Sequence, residues 1–218
     1  MQKKGLLIII SGPSGVGKGS VLKRAREKYD NFKYSVSVTT RDRRDEEVEG
    51  VNYYYRSVEQ FNKMVANGEF LEHMTLFGNQ YGTPVAGVRK NLEDGYDLIL
   101  EIDTQGALEV KKIFPDCVTV FIVAKSVAII KERLTGRDSE TPEQRRIRLT
   151  NALHEFEKAP LYDYIVLNDV LEQCADDVLS IINAEKGKLP SSEVEKFKTI
   201  NNKKLIDNLL MEANNYDD

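Results

Sequence analysis

Four short apolar runs punctuate the chain: GLLIII (5–10), YDLILEID (96–103), CVTVFIVA (117–124) and YIVLN (164–168). Their hydrophobicity is continuous rather than alternating. That pattern predicts strands buried on both faces of a parallel sheet. Between the runs the period lengthens. Over residues 20–29, Val21, Leu22 and Ala25 fall on one side, with Lys23, Arg24 and Arg26 elsewhere, which predicts a helix. Further helices are predicted over 104–114, 126–134 and 141–159, the last with Pro142 at a first-turn position. Buried strands alternating with helices indicate an α/β domain with a mainly parallel sheet.

Residues 34–83 break that rhythm. YSVSVTTR, VNYYYR and EFLEHMTLF carry β-branched and aromatic residues in period-2 alternation. They predict short antiparallel strands with one solvated face, a small β insertion on the α/β core. Residues 187–218 are rich in Lys, Asn, Asp and Glu and read as a polar tail, with one weak amphipathic helix over 197–211.

Composition narrows the function classes. The 218 residues carry 31 Lys and Arg against 35 Asp and Glu, a net charge of −4. No global basic field for nucleic acid is expected. The two cysteines, Cys117 and Cys174, form no CxxC pair, so neither a disulfide framework nor a zinc site is expected. The run 5–10 is too short to span a membrane and lacks signal-peptide features, and the expected location is the cytoplasm.

Chemistry enters with GPSGVGKGS (12–20), which lies between a predicted strand and a predicted helix. That context suits a phosphate-binding loop. Gly12, Gly15 and Gly17 let the backbone turn tightly, and Pro13, Ser14 and Val16 complete the turn. Lys18 supplies a charge for β/γ-phosphates at a positive helix N-terminus. Gly19 replaces the usual magnesium-ligating Ser or Thr. Magnesium then sits on phosphates and waters, or takes help from Ser20 through a water. Downstream, Arg41 and Arg44 can fork onto a phosphate, although taken alone this stretch reads better as a solvated charged hairpin.

Taken together, GPSGVGKGS, SVSVTTRxxRxxExxGxxYYY, EFLEHMTLFGNQYGTP, LILEIDTQGA, RLTGRDSETPEQRRIRL and IVLND resemble the guanylate kinase family over roughly residues 5–186. The resemblance implies a P-loop three-layer α/β/α core (1–33 and 84–186) with a mainly parallel sheet. It also implies a mixed or antiparallel GMP-binding insertion (34–83) and a helical lid (about 133–150). It places Arg41, Arg44, Tyr53 and Tyr81 on the GMP phosphate and Ser37, Glu72 and Thr83 on guanine. Glu101 and Asp103 fall at GMP-site positions or serve magnesium waters. Arg133, Arg137 and Arg148 match lid arginines, and Asn168 a contact to adenine. Arg145 and Arg146 read as a solvated face. The loop 42–47 departs from the family, with Asp42, Arg43, Asp45 and Glu46.

The implied reaction is ATP + GMP giving ADP + GDP with Mg²⁺, with dGMP a second acceptor. The implied partners are these small molecules alone, with no nucleic acid and no membrane, on a monomer or homodimer. The chemistry suits the residues. Guanine presents N1–H and N2–H₂ as adjacent donors, which one carboxylate can accept. Two other readings fit parts of the pattern: a protein-binding module of the same fold, and a kinase for another phosphorylated acceptor. The intact loop lysine argues against the first and Glu72 with Thr83 against the second.

Overall fold

The computed structural model describes residues 4–76, 78–135 and 150–215. Nine strands form two sheets among them. The first is five-stranded, in the order β2-β7-β1-β8-β9, built from β1 (Leu7–Ser11), β2 (Phe32–Tyr34), β7 (Asp97–Glu101), β8 (Val118–Val123) and β9 (Tyr164–Leu167). The pairs β2–β7 and β8–β9 are parallel. All five residues of β1 and all six of β8 are buried, as continuous apolar runs predict. The four predicted strands are all present. The sequence pattern does not single out β2, whose three residues Phe-Lys-Tyr are too short to show a period.

The second sheet has the order β4-β3-β6-β5, with β3 (Val38–Thr39), β4 (Tyr54–Tyr55), β5 (Phe70–Leu76) and β6 (Asn79–Pro84). The pairs β3–β6 and β5–β6 are antiparallel, but β3 and β4 are parallel. The sheet is therefore mixed, where the alternation alone predicts antiparallel strands. The long connection from Thr39 to Tyr54 lets the chain re-enter in the same direction. β6 carries Gly82 and Pro84, residues poor in strands, so its sequence conceals it. Gly82 is required by packing, because the Phe70 ring lies 2.7 Å from where its Cβ would be.

The chain forms two compact units. One comprises the chain up to Ile8, Asn31–Leu100 and Gln105–Cys117. It contains the small sheet, α2 (Val58–Ala66) and α3 (Val85–Glu93). Ser57 and Gln60 close a capping box at the start of α2, and Phe61 is buried there and stacks on Phe70 at 4.5 Å. The reading of 34–83 as strands does not include this helix.

The other unit comprises Ile9–Asp30, Glu101–Thr104 and the chain from Val118 onward. Its helices include α1 (Lys18–Lys28), α5 (Val127–Thr135), α6 (helical over 150–156), α7 (Leu171–Glu185) and α8 (Lys203–Asn214). α4 (Thr104–Ile113) follows β7. α1 buries Val21, Leu22 and Ala25, as the pattern predicts, and packs on α7. α7 buries Cys174, Ala175, Val178, Leu179, Ile181 and Ile182 at helical spacing. Arg24–Glu172 and Lys28–Asp176 pairs flank the contact at 2.5 Å, but they are half-exposed and worth little. Cys117 and Cys174 are both buried and not joined in a disulfide, and burial pushes the Cys174 thiol up to about 12.

The polar C-terminal segment is a packed structure. Two 3₁₀ turns (Ser191–Phe197 and Thr199–Asn202) precede α8, which starts six residues later than the expected helix. Val194, Phe197, Ile206, Leu209 and Ala213 are buried. These five anchor the segment, while Leu189, Ile200 and Met211 stay exposed. Glu212 on α8 accepts the backbone N–H of Val127 at 2.8 Å, capping α5 from across the unit. Leu209→Ala should therefore cost about 2–5 kcal/mol in urea unfolding, the usual cost of a buried leucine. Exposed Met211→Ala should change stability by less than about 0.5 kcal/mol.

Candidate active site

The glycine-rich turn joins β1 to α1. Gly17 caps α1 with φ 97°, a left-handed conformation that L side chains rarely adopt, and no side chain caps the helix. The first turn of α1 contains no acidic residue. Its N–H groups and the positive end of its dipole are thus left for an anion. A side chain at Gly17 would also collide with Asn168, whose Nδ2 lies 2.8 Å from the Cβ position.

Three neighbouring elements hold the loop in shape. Asn168, buried at the end of β9, donates Nδ2–H to the Val16 carbonyl at 2.7 Å. Arg133 on α5 donates Nη1–H to the same carbonyl at 3.0 Å. Glu155 on α6 accepts the Ser14 backbone N–H at 3.0 Å. Lys18 donates to the Gly12 and Pro13 carbonyls at 2.5 and 3.3 Å, folding back over the turn. A cavity of about 580 Å³ opens here, lined by the loop, Ser20, Glu101, Arg133, Asn168, Asp169 and Leu171.

Burial lowers the Lys18 ammonium, and Glu155, Glu101 and Asp103 oppose that shift through their charges. Burial raises both Glu101 and Glu155, with Lys18 pulling each back. Glu155 is the residue that sequence reasoning missed. Only its contact with the loop reveals it, because a lone Glu on a helix carries no motif. Of the predicted lid arginines, Arg133 lies on the cavity wall. Arg137 and Arg148, with Arg145 and Arg146, lie outside the described residues.

The second cluster lies in the other unit, on the small sheet. Glu72 on β5 is in register with Thr83 on β6, and Thr83 Oγ1 donates to Glu72 Oε1 at 2.6 Å. Thr83 is buried. Ser37 precedes Val38, the partner of Gly82, so it falls beside Thr83 on the next strand. Tyr81 shares a face of β6 with Thr83. Its ring lies 6.0 Å from that of Tyr53, edge to face. The Arg41 guanidinium sits 5.6 Å over Tyr53. The structure brings together Ser37, Glu72 and Thr83, and separately Arg41, Tyr53 and Tyr81. The Arg44 side chain is exposed.

Glu47 organises the charged loop 42–47. It pairs with Arg41 Nη2 at 2.6 Å and accepts the Arg44 backbone N–H at 2.9 Å and the Tyr55 hydroxyl at 2.7 Å. These donors, Arg41 first, hold its carboxyl down at about 2, against an ordinary 4.5. A carboxyl lowered on folding stabilises above its unfolded value and loses that contribution as the pH falls toward its folded value. Glu47→Gln should therefore lower the urea midpoint at pH 7, and the deficit should shrink steadily below pH 4.5. A deficit that stays constant from pH 7 to pH 3 would contradict this account.

Comparison with known proteins places this geometry. The sequence model described as guanylate kinase matches residues 4–185. A guanylate kinase of Halalkalibacterium halodurans is 46% identical over 184 residues, 84% of this chain and 90% of the relative. One of Carboxydothermus hydrogenoformans is 45% identical over 183 residues, with the same coverage. The crystal structure of guanylate kinase from Anaplasma phagocytophilum superposes with a TM-score of 0.67 at 32% identity, covering 84% of this chain and 87% of that one. The family match spans both clusters, the glycine-rich turn with Lys18 and the Glu72–Thr83 strand pair, and this chain belongs to the guanylate kinase family.

Proposed function

We propose that the chain transfers the γ-phosphoryl group of ATP to the phosphate of GMP, giving ADP and GDP. The observation that carries the acceptor assignment is the Glu72–Thr83 pair. Thr83 fixes the carboxylate on a buried strand pair, beside Ser37 and close in sequence to the arginine–tyrosine cluster. Glu72 accepts guanine N1–H and N2–H₂, and the Ser37 and Thr83 hydroxyls serve the remaining base edge. Adenine would set its N1 lone pair against the carboxylate. Hydrogen-bond sites of this kind discriminate by about 10⁴.

The acceptor phosphate lies against Arg41, Arg44, Tyr53 and Tyr81. On arrival it competes with Glu47 for the Arg41 guanidinium. These readers address base and phosphate, which GMP and dGMP share, so both nucleotides are acceptors. The enzyme recycles GMP within purine nucleotide metabolism. Its buried cysteines, not joined in a disulfide, suit a reducing cytoplasm. Nothing in the proposed chemistry requires more than one subunit.

ATP phosphates occupy the loop, where backbone N–H groups and Lys18 receive them. Lys18 exchanges its contacts with the Gly12 and Pro13 carbonyls for phosphate oxygens. Asn168 commits Nδ2 to Val16 and offers Oδ1 to the adenine amino group. The oxygen donors beside the loop, Ser20, Glu101 and Asp103, suit magnesium, which prefers hard oxygen ligands. Phosphates and waters would complete the shell of such an ion. Bound magnesium neutralises charge on the β- and γ-phosphates. Arg133, Arg137 and Arg148 close over the phosphates as a lid, and exclusion of water protects ATP from hydrolysis. The acceptor oxygen is already ionised, so the transfer needs no general base.

ADP release measured with ATP, Mg²⁺ and each of GMP, dGMP, AMP, UMP and CMP tests the proposal. Turnover is expected with GMP and dGMP only, and turnover with none of the five would overturn it. Lys18→Ala should lower kcat by about 10²-fold or more, the scale for losing one charge-stabilising group. Glu72→Gln should lower kcat/KM for GMP by roughly 10–100-fold, because one accepted hydrogen bond becomes an N–H facing a donor.

A further inference from the structure

Gly19 occupies the position where phosphate loops carry the Ser or Thr that ligates magnesium. Nothing in the backbone demands glycine there. Gly19 is absent from the residues with left-handed φ, and it lies in the first turn of α1. A Cβ at Gly19 would meet only the carboxylate of Glu101, Oε1 at 3.8 Å and Oε2 at 3.9 Å, both ordinary contact distances. The place from which a loop hydroxyl would reach the ion is thus already faced by two oxygens from the end of β7. Mg–O bonds are ~2.1 Å long. An ion held by a hydroxyl on the carboxylate side of that Cβ is within reach of Glu101 too, directly or through one water.

We propose that Glu101 replaces the missing loop hydroxyl as the protein's ligand toward nucleotide-bound magnesium, and that Gly19 and Glu101 form a matched pair. The assignment separates the two carboxylates at the end of β7 and gives Glu101 to the metal rather than to GMP. It rests on the reading of this cavity as the ATP site. It also explains how a loop lacking its hydroxyl keeps a protein contact to the ion. A serine added at position 19 would direct its hydroxyl at the place the carboxylate already serves. Serine should therefore matter only when Glu101 has lost its charge.

Mn²⁺ binding to the enzyme–ADP complex, followed by electron paramagnetic resonance, tests this without turnover. Glu101→Gln should weaken Mn²⁺ binding roughly 10–100-fold, the usual cost of disturbing the groups around a metal. Gly19→Ser in that background should restore most of the loss, and Gly19→Ala should restore none. Glu101→Asp, shorter by one methylene, provides a milder second variant with the same expected rescue by serine. ADP affinity measured in chelator should stay near wild type in every variant, which shows that the loop is intact. Wild-type Mn²⁺ affinity in Glu101→Gln, or equal rescue by alanine and serine, would overturn the proposal. Failure of the wild-type protein to bind ADP even without metal would overturn the ATP-site reading, and this inference with it.

Discussion

The start of α1 must stay open to an anion and yet belong to a rigid frame. An ordinary helix satisfies its first N–H groups with a side-chain cap, as Ser57 does for α2. α1 has none, and a left-handed glycine stands in the cap position. Such an opening would let the turn collapse unless something else fixed it. The surrounding fold supplies that by gripping the backbone of the turn. Arg133 and Asn168 grip the Val16 carbonyl from α5 and β9, and Glu155 grips the Ser14 amide from α6. The helix that carries Arg133 is itself capped by Glu212 of the C-terminal segment. The packing of residues late in the chain thereby bears on a loop near its beginning.

The same electrostatic problem recurs in both units. A site for phosphate needs cations, and cations drawn partly out of water need partners before the phosphate arrives. Lys18 rests on two loop carbonyls amid Glu101, Asp103 and Glu155. Arg41 rests on Glu47, with both side chains largely enclosed. This arrangement fits a chain that is acidic overall while presenting cationic positions. Each positive group faces a carboxylate that a phosphate can displace or share. It also explains how Arg41 is held in place beside the charged loop 42–47. Glu47 ties Arg41, the Arg44 backbone and the Tyr55 hydroxyl together.

The sequence makes legible what depends on local pattern. The buried strands β1, β7, β8 and β9 announce themselves as apolar runs, and the phosphate loop by its glycines, lysine and flanking elements. Glu72 and Thr83 come from the family resemblance, and register then sets them side by side. Other features escape because their cause is non-local. β6 contains Gly82 and Pro84 for reasons visible only when Phe70 lies across it. The parallel β3–β4 pair depends on the path of a connection, which residue type does not encode. The C-terminal segment reads as polar because its few apolar residues are spread among charged and amide ones, and only the fold shows that five of them are buried. Glu155 looks like an ordinary surface glutamate until its partner is known, and Glu47, although part of the motif, shows what it does only through its partners.

The guanine site proposed above shows why such placement would matter more than residue type. A solvated carboxylate would exchange guanine's donors for water at little net gain, and would reject adenine weakly. Glu72 is instead half-buried and tied by the buried Thr83 hydroxyl. Its orientation is set before any ligand arrives, so little entropy is lost on binding. Under the proposed reaction, a base that offers no donors leaves this carboxylate short of partners in a site from which binding expels water. Discrimination then comes from the penalty on the wrong base more than from attraction to the right one. That logic requires a strand pair rather than a loop, and it accounts for the placement of Glu72 and Thr83 in register on β5 and β6.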